Sequence, residues 1–140
     1  MIVLDTDHLT ILRYADHPRC ASLVERLQSA NQPVTATVVT WEEQLRGWLA
    51  EINRCRNFGD QVPAYERLQK LAVFINEWDV LPFDEQAAAE CQELRRQRIR
   101  IGAQDLKIAA IALVNHALLL SGNLRDFQKV PGLRVENWLV

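Results

Sequence analysis

Ile2-Val3-Leu4 is an unbroken apolar run that stops at Asp5-Thr6-Asp7, the pattern of a short strand buried on both faces and ending at a polar turn. Cys20, Leu23, Val24 and Leu27 recur at helical spacing, so a helix is predicted over 18–27, with Pro18 in its first turn and Asp16 as its cap. The β-branched stretch from Val34 to Val39 predicts a second strand that gives way near Thr40. From Trp41 the period lengthens through Leu45, Trp48, Leu49 and Ile52, which predicts a helix with Glu42 and Glu43 in its first turn, where acids suit the helix dipole. Asn57 to Pro63 is the densest group of breakers and is read as the loop of a helical hairpin whose second arm covers 65–77.

Further along, 78–81 has the pattern of a strand, and Asp84 is placed to cap a helix over 85–97. Gly102 punctuates the chain before a helix over 103–116, whose Leu106, Ala109, Ala110 and Leu113 form a small-residue face suited to close packing on a sheet. Leu118-Leu119-Leu120 reads as a buried strand ended by Ser121-Gly122-Asn123, and 133–138 supplies the last. Strands alternating with helices imply a three-layer α/β/α fold with a mostly parallel sheet of four or five strands. At 140 residues the chain suits a single domain over 1–140.

Composition narrows the classes. The apolar fraction of 49% and charged fraction of 24% are globular values and exclude disorder. No apolar run approaches the roughly 20 residues of a membrane helix, and the first residues lack the basic start of a signal peptide, so a cytoplasmic location is expected. Cys20, Cys55 and Cys91 are scattered and form no C-x-x-C pair, so they are read as reduced thiols. A net charge of −2 provides no global attraction to nucleic acid, leaving any such binding to local patches. Basic residues do group, at Arg46, Arg54 and Arg56 and again at Arg95, Arg96, Arg98 and Arg100. Solvated helix faces and phosphate contacts are both open readings of these groups.

In an open parallel sheet the carboxyl ends of the strands collect the polar groups on one edge. Asp5 and the 121–123 turn lie on that edge, and Glu43 and Asp105 are placed to reach it. Taken singly, each acid has a simpler reading as a helix cap or first-turn dipole partner. Together, several carboxylates in one cleft repel unless a cation neutralises them, and Mg²⁺ or Mn²⁺ is the oxygen-preferring occupant. Such an ion suits phosphodiester hydrolysis without a covalent nucleophile. His8, His17 and His116 form no H-E-x-x-H, and neither a G-x-S-x-G elbow nor a phosphate-binding loop is present, which removes zincin, serine-hydrolase and nucleoside-triphosphatase chemistry.

Four segments carry a family likeness. Leu4-Asp5-Thr6-Asp7, Thr40-Trp41-Glu42-Glu43-Gln44-Leu45-Arg46-Gly47, Ile101-Gly102-Ala103-Gln104-Asp105-Leu106-Lys107-Ile108-Ala109-Ala110 and Ser121-Gly122-Asn123-Leu124-Arg125-Asp126-Phe127 resemble the L-D-T-N, T-x-x-E-x-x-x-G, I-G-x-x-D-x-x-I-A-A and T-x-N-x-x-D-F segments of the PIN-domain family. The likeness extends to the VapC toxins of bacterial toxin and antitoxin pairs. It implies that Asp5, Glu43 and Asp105 are the metal-binding acids, Gly47 selecting Glu43 over Glu42. For the fourth polar position it leaves Asn123 and Asp126 as alternatives, and it places Ser121 and Asp7 around the metal ligands, Asp7 standing where Asn is usual. It further implies an endoribonuclease dependent on Mg²⁺ or Mn²⁺, an RNA substrate with transfer RNA among the family's targets, a cognate antitoxin, and a homodimer. Two rival readings fit the same residues. Asp5-Thr6-Asp7 is also the D-x-D of a haloacid dehalogenase-like phosphatase, with Leu9 where that family wants Thr or Val, and a PIN-like module without turnover would use the same cleft for binding alone.

Overall fold

In a computed structural model describing all residues from 1 to 140, the chain runs β1 (Ile2–Leu4), α1 (Thr6–Arg13), α2 (Cys20–Ala30), β2 (Val34–Thr37), α3 (Val38–Arg54) and α4 (Phe58–Asn76). It continues through β3 (Val80–Leu81), α5 (Glu85–Arg96), α6 (Ala103–Val114), β4 (Leu118–Leu120), α7 (Leu124–Phe127) and β5 (Arg134–Glu136). The five strands lie in the order β3-β2-β1-β4-β5, and every pairing is parallel. The expected mostly parallel sheet is thus wholly parallel.

Central strand β1 is completely buried, and its side chains alternate between two cores, as a strand's period of two requires. Val3 joins Leu106, Ile108, Ala109, Leu119 and Phe127 on one face. Ile2 and Leu4 join Leu9, Leu23, Leu27 and Leu120 on the other. The chain leaves β1 toward β2 on one side and later returns to β4 on the other. That reversal opens a crevice at the carboxyl ends of β1 and β4, where open α/β sheets hold their ligands.

Local capping accounts for most departures from the periodicity. Asp5 caps a helix that begins at Thr6, so the polar turn expected after β1 is immediately helical. Asp16 caps nothing, because α2 starts at Cys20 behind Arg19 without a side-chain cap. The Thr37 hydroxyl accepts the Thr40 N–H at 3.1 Å, which ends β2 early and starts α3 at Val38 despite the β-branched run. Glu42 and Glu43 consequently sit in the second turn of α3, which has no acid in its first. The breaker segment is also mostly helical: Asn57 accepts the Asp60 N–H and donates to the Asp60 carboxylate, both at 2.8 Å. This exchange starts α4 at Phe58 and leaves Pro63 inside it. The strands expected at 78–81 and 133–138 shrink to Val80–Leu81 and Arg134–Glu136, and α7 had no periodic signal.

One polar side chain in the α3–α4 hairpin lacks a partner. Both amide atoms of Gln44 are buried without a hydrogen bond, on the helix face shared by Trp41 and Trp48. Removing such a group without changing shape recovers its desolvation cost. Gln44→Met is expected to stabilise the fold by about 1 kcal/mol, raising Tm by roughly 4 °C. A fall in Tm on scanning calorimetry would show that the amide is engaged in solution.

Candidate active site

Asp5 stands at the end of β1, where its Oδ1 accepts the Thr6 N–H at 2.8 Å and its Oδ2 accepts the Ser121 hydroxyl at 2.7 Å. Ser121, fully buried at the end of β4, joins the two central strands at the crevice. Its backbone N–H donates to Glu136 on β5 at 3.0 Å, fixing the turn against the next strand. Its hydroxyl in turn accepts the Asn123 N–H at 3.0 Å.

Asn123 reaches across the site. Its side-chain NH₂ donates to Asp105 at the start of α6 and to Asp126 in α7, both at 3.1 Å. Glu43 enters from α3, its Oε2 accepting the Thr6 hydroxyl at 3.2 Å. Glu42 points elsewhere, into an exposed group with Gln104 at 2.9 Å and Arg46. The structure therefore brings Asp5, Glu43, Asp105, Ser121 and Asn123 to one sheet edge and leaves Glu42 outside. Asp126 touches this group only through Asn123 and also faces Lys129 at 3.5 Å. Asp7 accepts the Gly122 N–H at 2.6 Å and so borders the turn, with its charge felt at Asp5. Thr6 and His8 carry contacts that periodicity did not single out; Thr6 lies inside the quoted L-D-T-D segment, whereas nothing in the spacing marks His8.

Electrostatics separates the acids into two classes. Burial raises Asp5, and the neighbouring charges of Asp7 and Asp105 add to it against the bonds from Ser121 and Thr6. Burial likewise raises Glu43, which feels both Asp5 and Asp105. Asp105 is raised by burial and by Asp126, against the Asn123 bond. Glu42 and Asp126 are held below the ordinary carboxylate value, chiefly by Gln104 and Asn123 respectively. Burial alone would raise Asp7, yet the bonds from the His8 ring and the Gly122 amide outweigh it and lower its pKa.

The charge of Asp105 acts on Asp5 and Glu43, and that of Asp5 on Glu43, but no three His, Cys, Asp or Glu side chains stand at the mutual spacing of a metal's ligands. The chemistry of the three acids nevertheless fits a hard divalent cation. All the donors are oxygens, and Glu43 Oε1 and Asp105 Oδ1 accept no hydrogen bond from the protein. Each acid is charged at a cost that a cation offsets.

That cost has a testable sign. A carboxyl raised in the folded state binds protons more readily there than in the unfolded chain, so its contribution to stability falls as pH climbs from the unfolded pKa through the folded one. Asp105→Asn removes one such charge while keeping an acceptor for Asn123. In metal-free buffer its Tm is expected to exceed the parent's at pH 7, the gap closing toward pH 4. A gap independent of pH in parallel thermal melts would contradict the raised pKa.

Of the grouped arginines, Arg46, Arg54 and Arg96 pair with Glu42, Glu51 and Glu93 on their own helices. Arg95, Arg98 and Arg100 form no ion pair. A groove of about 360 Å³ runs along α3, lined by Val38, Trp41, Glu42, Leu45, Arg46 and Leu49, and none of the gathered acids lines it. No helix is long and apolar enough to cross a membrane.

Comparison with known proteins agrees with this architecture. A 69-residue stretch, 46% of this chain and 52% of the relative, is 35% identical to the tRNA(fMet)-specific endonuclease VapC of Salmonella typhimurium. A 73-residue stretch, 49% of this chain and 54% of the relative, is 32% identical to ribonuclease VapC2 of Rickettsia felis. The matched stretch thus spans about half the length of either relative. Among solved structures, VapBC2 from Rickettsia felis bound to a DNA fragment from their promoter has a TM-score of 0.73 at 22% identity, covering 99% of each chain. A toxin-antitoxin complex from Klebsiella pneumoniae has a TM-score of 0.67 at 18% identity, covering 99% of this chain and 98% of that one. At those identities the likeness speaks for the fold. The family profile described as PIN domain matches residues 2–133, nearly the whole chain, and the protein belongs to the PIN domain family.

Proposed function

We propose that the chain, as one domain, is a VapC-type endoribonuclease that hydrolyses RNA phosphodiester bonds with Mg²⁺ or Mn²⁺. The observation that carries this reading is the gathering of Asp5, Glu43 and Asp105, from three distant parts of the chain, to one sheet edge, where Ser121, Thr6 and Asn123 each hold one of them. These acids would hold the cation, which supplies an activated water and neutralises the charge that builds on the phosphate during in-line attack.

The rest of the site orients those acids. Ser121 and Thr6 donate hydroxyl protons to Asp5 and Glu43, and Asn123 donates its amide to Asp105. Each bond limits rotation of a carboxylate and favours its ionised form. For the fourth polar position we favour Asn123, which lies among the acids, with Asp126 acting through it. Arg95 in the last turn of α5, with Arg98 and Arg100 on the segment leading to α6, is unpaired as they are, and the three suit the RNA backbone.

Transfer RNA is the substrate to examine first, because one relative is described as tRNA(fMet)-specific. The toxin-antitoxin complex of like fold supports a protein antitoxin as partner. The exposed apolar residues Leu49, Phe58, Val62, Tyr65 and Val73 provide surface on the α3–α4 hairpin for such a partner or for a second copy in a homodimer. The phosphatase reading loses ground because Leu9 stands where that family wants Thr or Val and because the second acid of its D-x-D, Asp7, is engaged by the Gly122 amide and His8.

Purified chain incubated with transfer RNA and Mn²⁺ is expected to produce discrete fragments, and chelation to stop them. Absence of cleavage across structured RNAs, by protein shown to be folded and free of antitoxin, would favour the binding-module reading instead.

A further inference from the structure

The turn at Ser121-Gly122-Asn123 holds two of the three acids, Ser121 bonding Asp5 and Asn123 bonding Asp105. Whatever positions this turn therefore positions the site. Its middle residue is tied by the Gly122 N–H to Asp7 Oδ2 at 2.6 Å. A Cβ at position 122 would lie 2.6 Å from that same oxygen, closer than a side-chain carbon tolerates, so any residue but glycine would displace either the Asp7 carboxylate or the turn. The other oxygen, Asp7 Oδ1, accepts the His8 backbone N–H at 2.7 Å and meets ring Nδ1 at 2.8 Å.

His8 is completely buried, and its Nε2 lies 3.1 Å from the backbone N–H of Trp138. A backbone N–H can only donate, so Nε2 is the accepting nitrogen and Nδ1 carries the proton that goes to Asp7. The ring thereby acquires a direction, accepting from the C-terminal tail and donating toward the turn. The tail is itself anchored: the Arg26 guanidinium stacks on the Trp138 ring at 4.4 Å, and Trp138 and Leu139 pack on the core beneath β1. Asp7 is left with three N–H donors converging on its two oxygens. An amide there offers one accepting oxygen, and its NH₂ would confront either Gly122 or His8. The Asp at position 7 and the His beside it are therefore matched.

We propose, resting on the cation-dependent ribonuclease reading, that Asp7 and His8 form a latch through which the C-terminal tail at Trp138 fixes the Gly122 turn and hence the placement of Asp5 and Asp105. Neither residue meets the reacting atoms; both are positioning residues. An outer residue of this kind changes metal affinity or turnover about 10- to 100-fold when altered, and it leaves contacts with the distal substrate in place.

The test compares the full-length parent with Asp7→Asn, His8→Phe and His8→Asn. It uses amide hydrogen exchange at Gly122 in metal-free protein, Mn²⁺ affinity by calorimetry, and kcat against KM on transfer RNA. Asp7→Asn and His8→Phe are expected to speed exchange at Gly122, weaken Mn²⁺ about 10- to 100-fold and lower kcat with KM unchanged. In His8→Asn the side-chain NH₂ can stand where Nδ1 stood and donate to Asp7, so part of the affinity returns. Unchanged exchange and Mn²⁺ affinity in Asp7→Asn would overturn the latch, and His8→Asn no better than His8→Phe would overturn the role of Nδ1. Should His8→Phe not fold, Asp7→Asn decides alone, because its side chain is 42% exposed and tolerates change. A parent that binds Mn²⁺, loses it in Asp7→Asn and cuts no RNA would uphold the latch while overturning the ribonuclease reading.

Discussion

Asp5→Asn, Glu43→Gln and Asp105→Asn are each expected to lower kcat for RNA cleavage by about 10³-fold or more, a loss of roughly 4 kcal/mol of transition-state stabilisation. Glu42→Gln, one residue from Glu43, is expected to leave cleavage near the parent rate. The contrast follows from direction along α3. Glu43 turns toward Thr6 and the fields of Asp5 and Asp105, whereas Glu42 turns toward Gln104 and Arg46 on the surface. Single-turnover kinetics on one transfer RNA, with circular dichroism to verify folding, provides the comparison. A severe defect in Glu42→Gln with a mild one in Glu43→Gln would reverse the assignment.

Gly122→Ala is the change of smallest size with the next largest expected effect. The added methyl would meet Asp7 Oδ2 at 2.6 Å, so either Asp7 swings out or the 121–123 turn moves. Moving the turn carries Ser121 away from Asp5 and Asn123 away from Asp105. Overpacking of this kind costs about 1–3 kcal/mol of stability, and the displaced donors are expected to lower Mn²⁺ affinity and turnover together by about 10- to 100-fold. The double variant Gly122→Ala with Asp7→Ala, which makes room for the methyl, should recover stability but not cation affinity. Equal Tm for parent and Gly122→Ala would show that the contact relaxes without consequence.

The acids were legible because their positions are set by short-range features. An apolar run must end where Asp5 begins, and Gly102 with the small-residue helix after it places Asp105 in a first turn. The choice of Glu43 over Glu42 came from register with Gly47, and the structure places the two side chains on different faces of the helix. What stayed hidden depends on side chains bonding to backbone. The Thr37 cap starts α3 inside a run of strand formers, and the Asn57–Asp60 exchange carries α4 through a proline. Both override propensity with a single well-placed acceptor. The His8 contact with Trp138 joins residues 130 positions apart, and no local pattern encodes it.

On the proposed reading, Asp5, Glu43 and Asp105 tolerate their neighbouring charges through a bound cation. Calorimetric titration of the metal-free protein with Mn²⁺ at pH 7 tests this directly, run beside the triple variant D5N/E43Q/D105N. Saturable binding by the parent, accompanied by a rise in Tm and absent from a triple variant that is itself more stable without metal, is the predicted result. Equal binding by both proteins, or none by a folded parent, would contradict it.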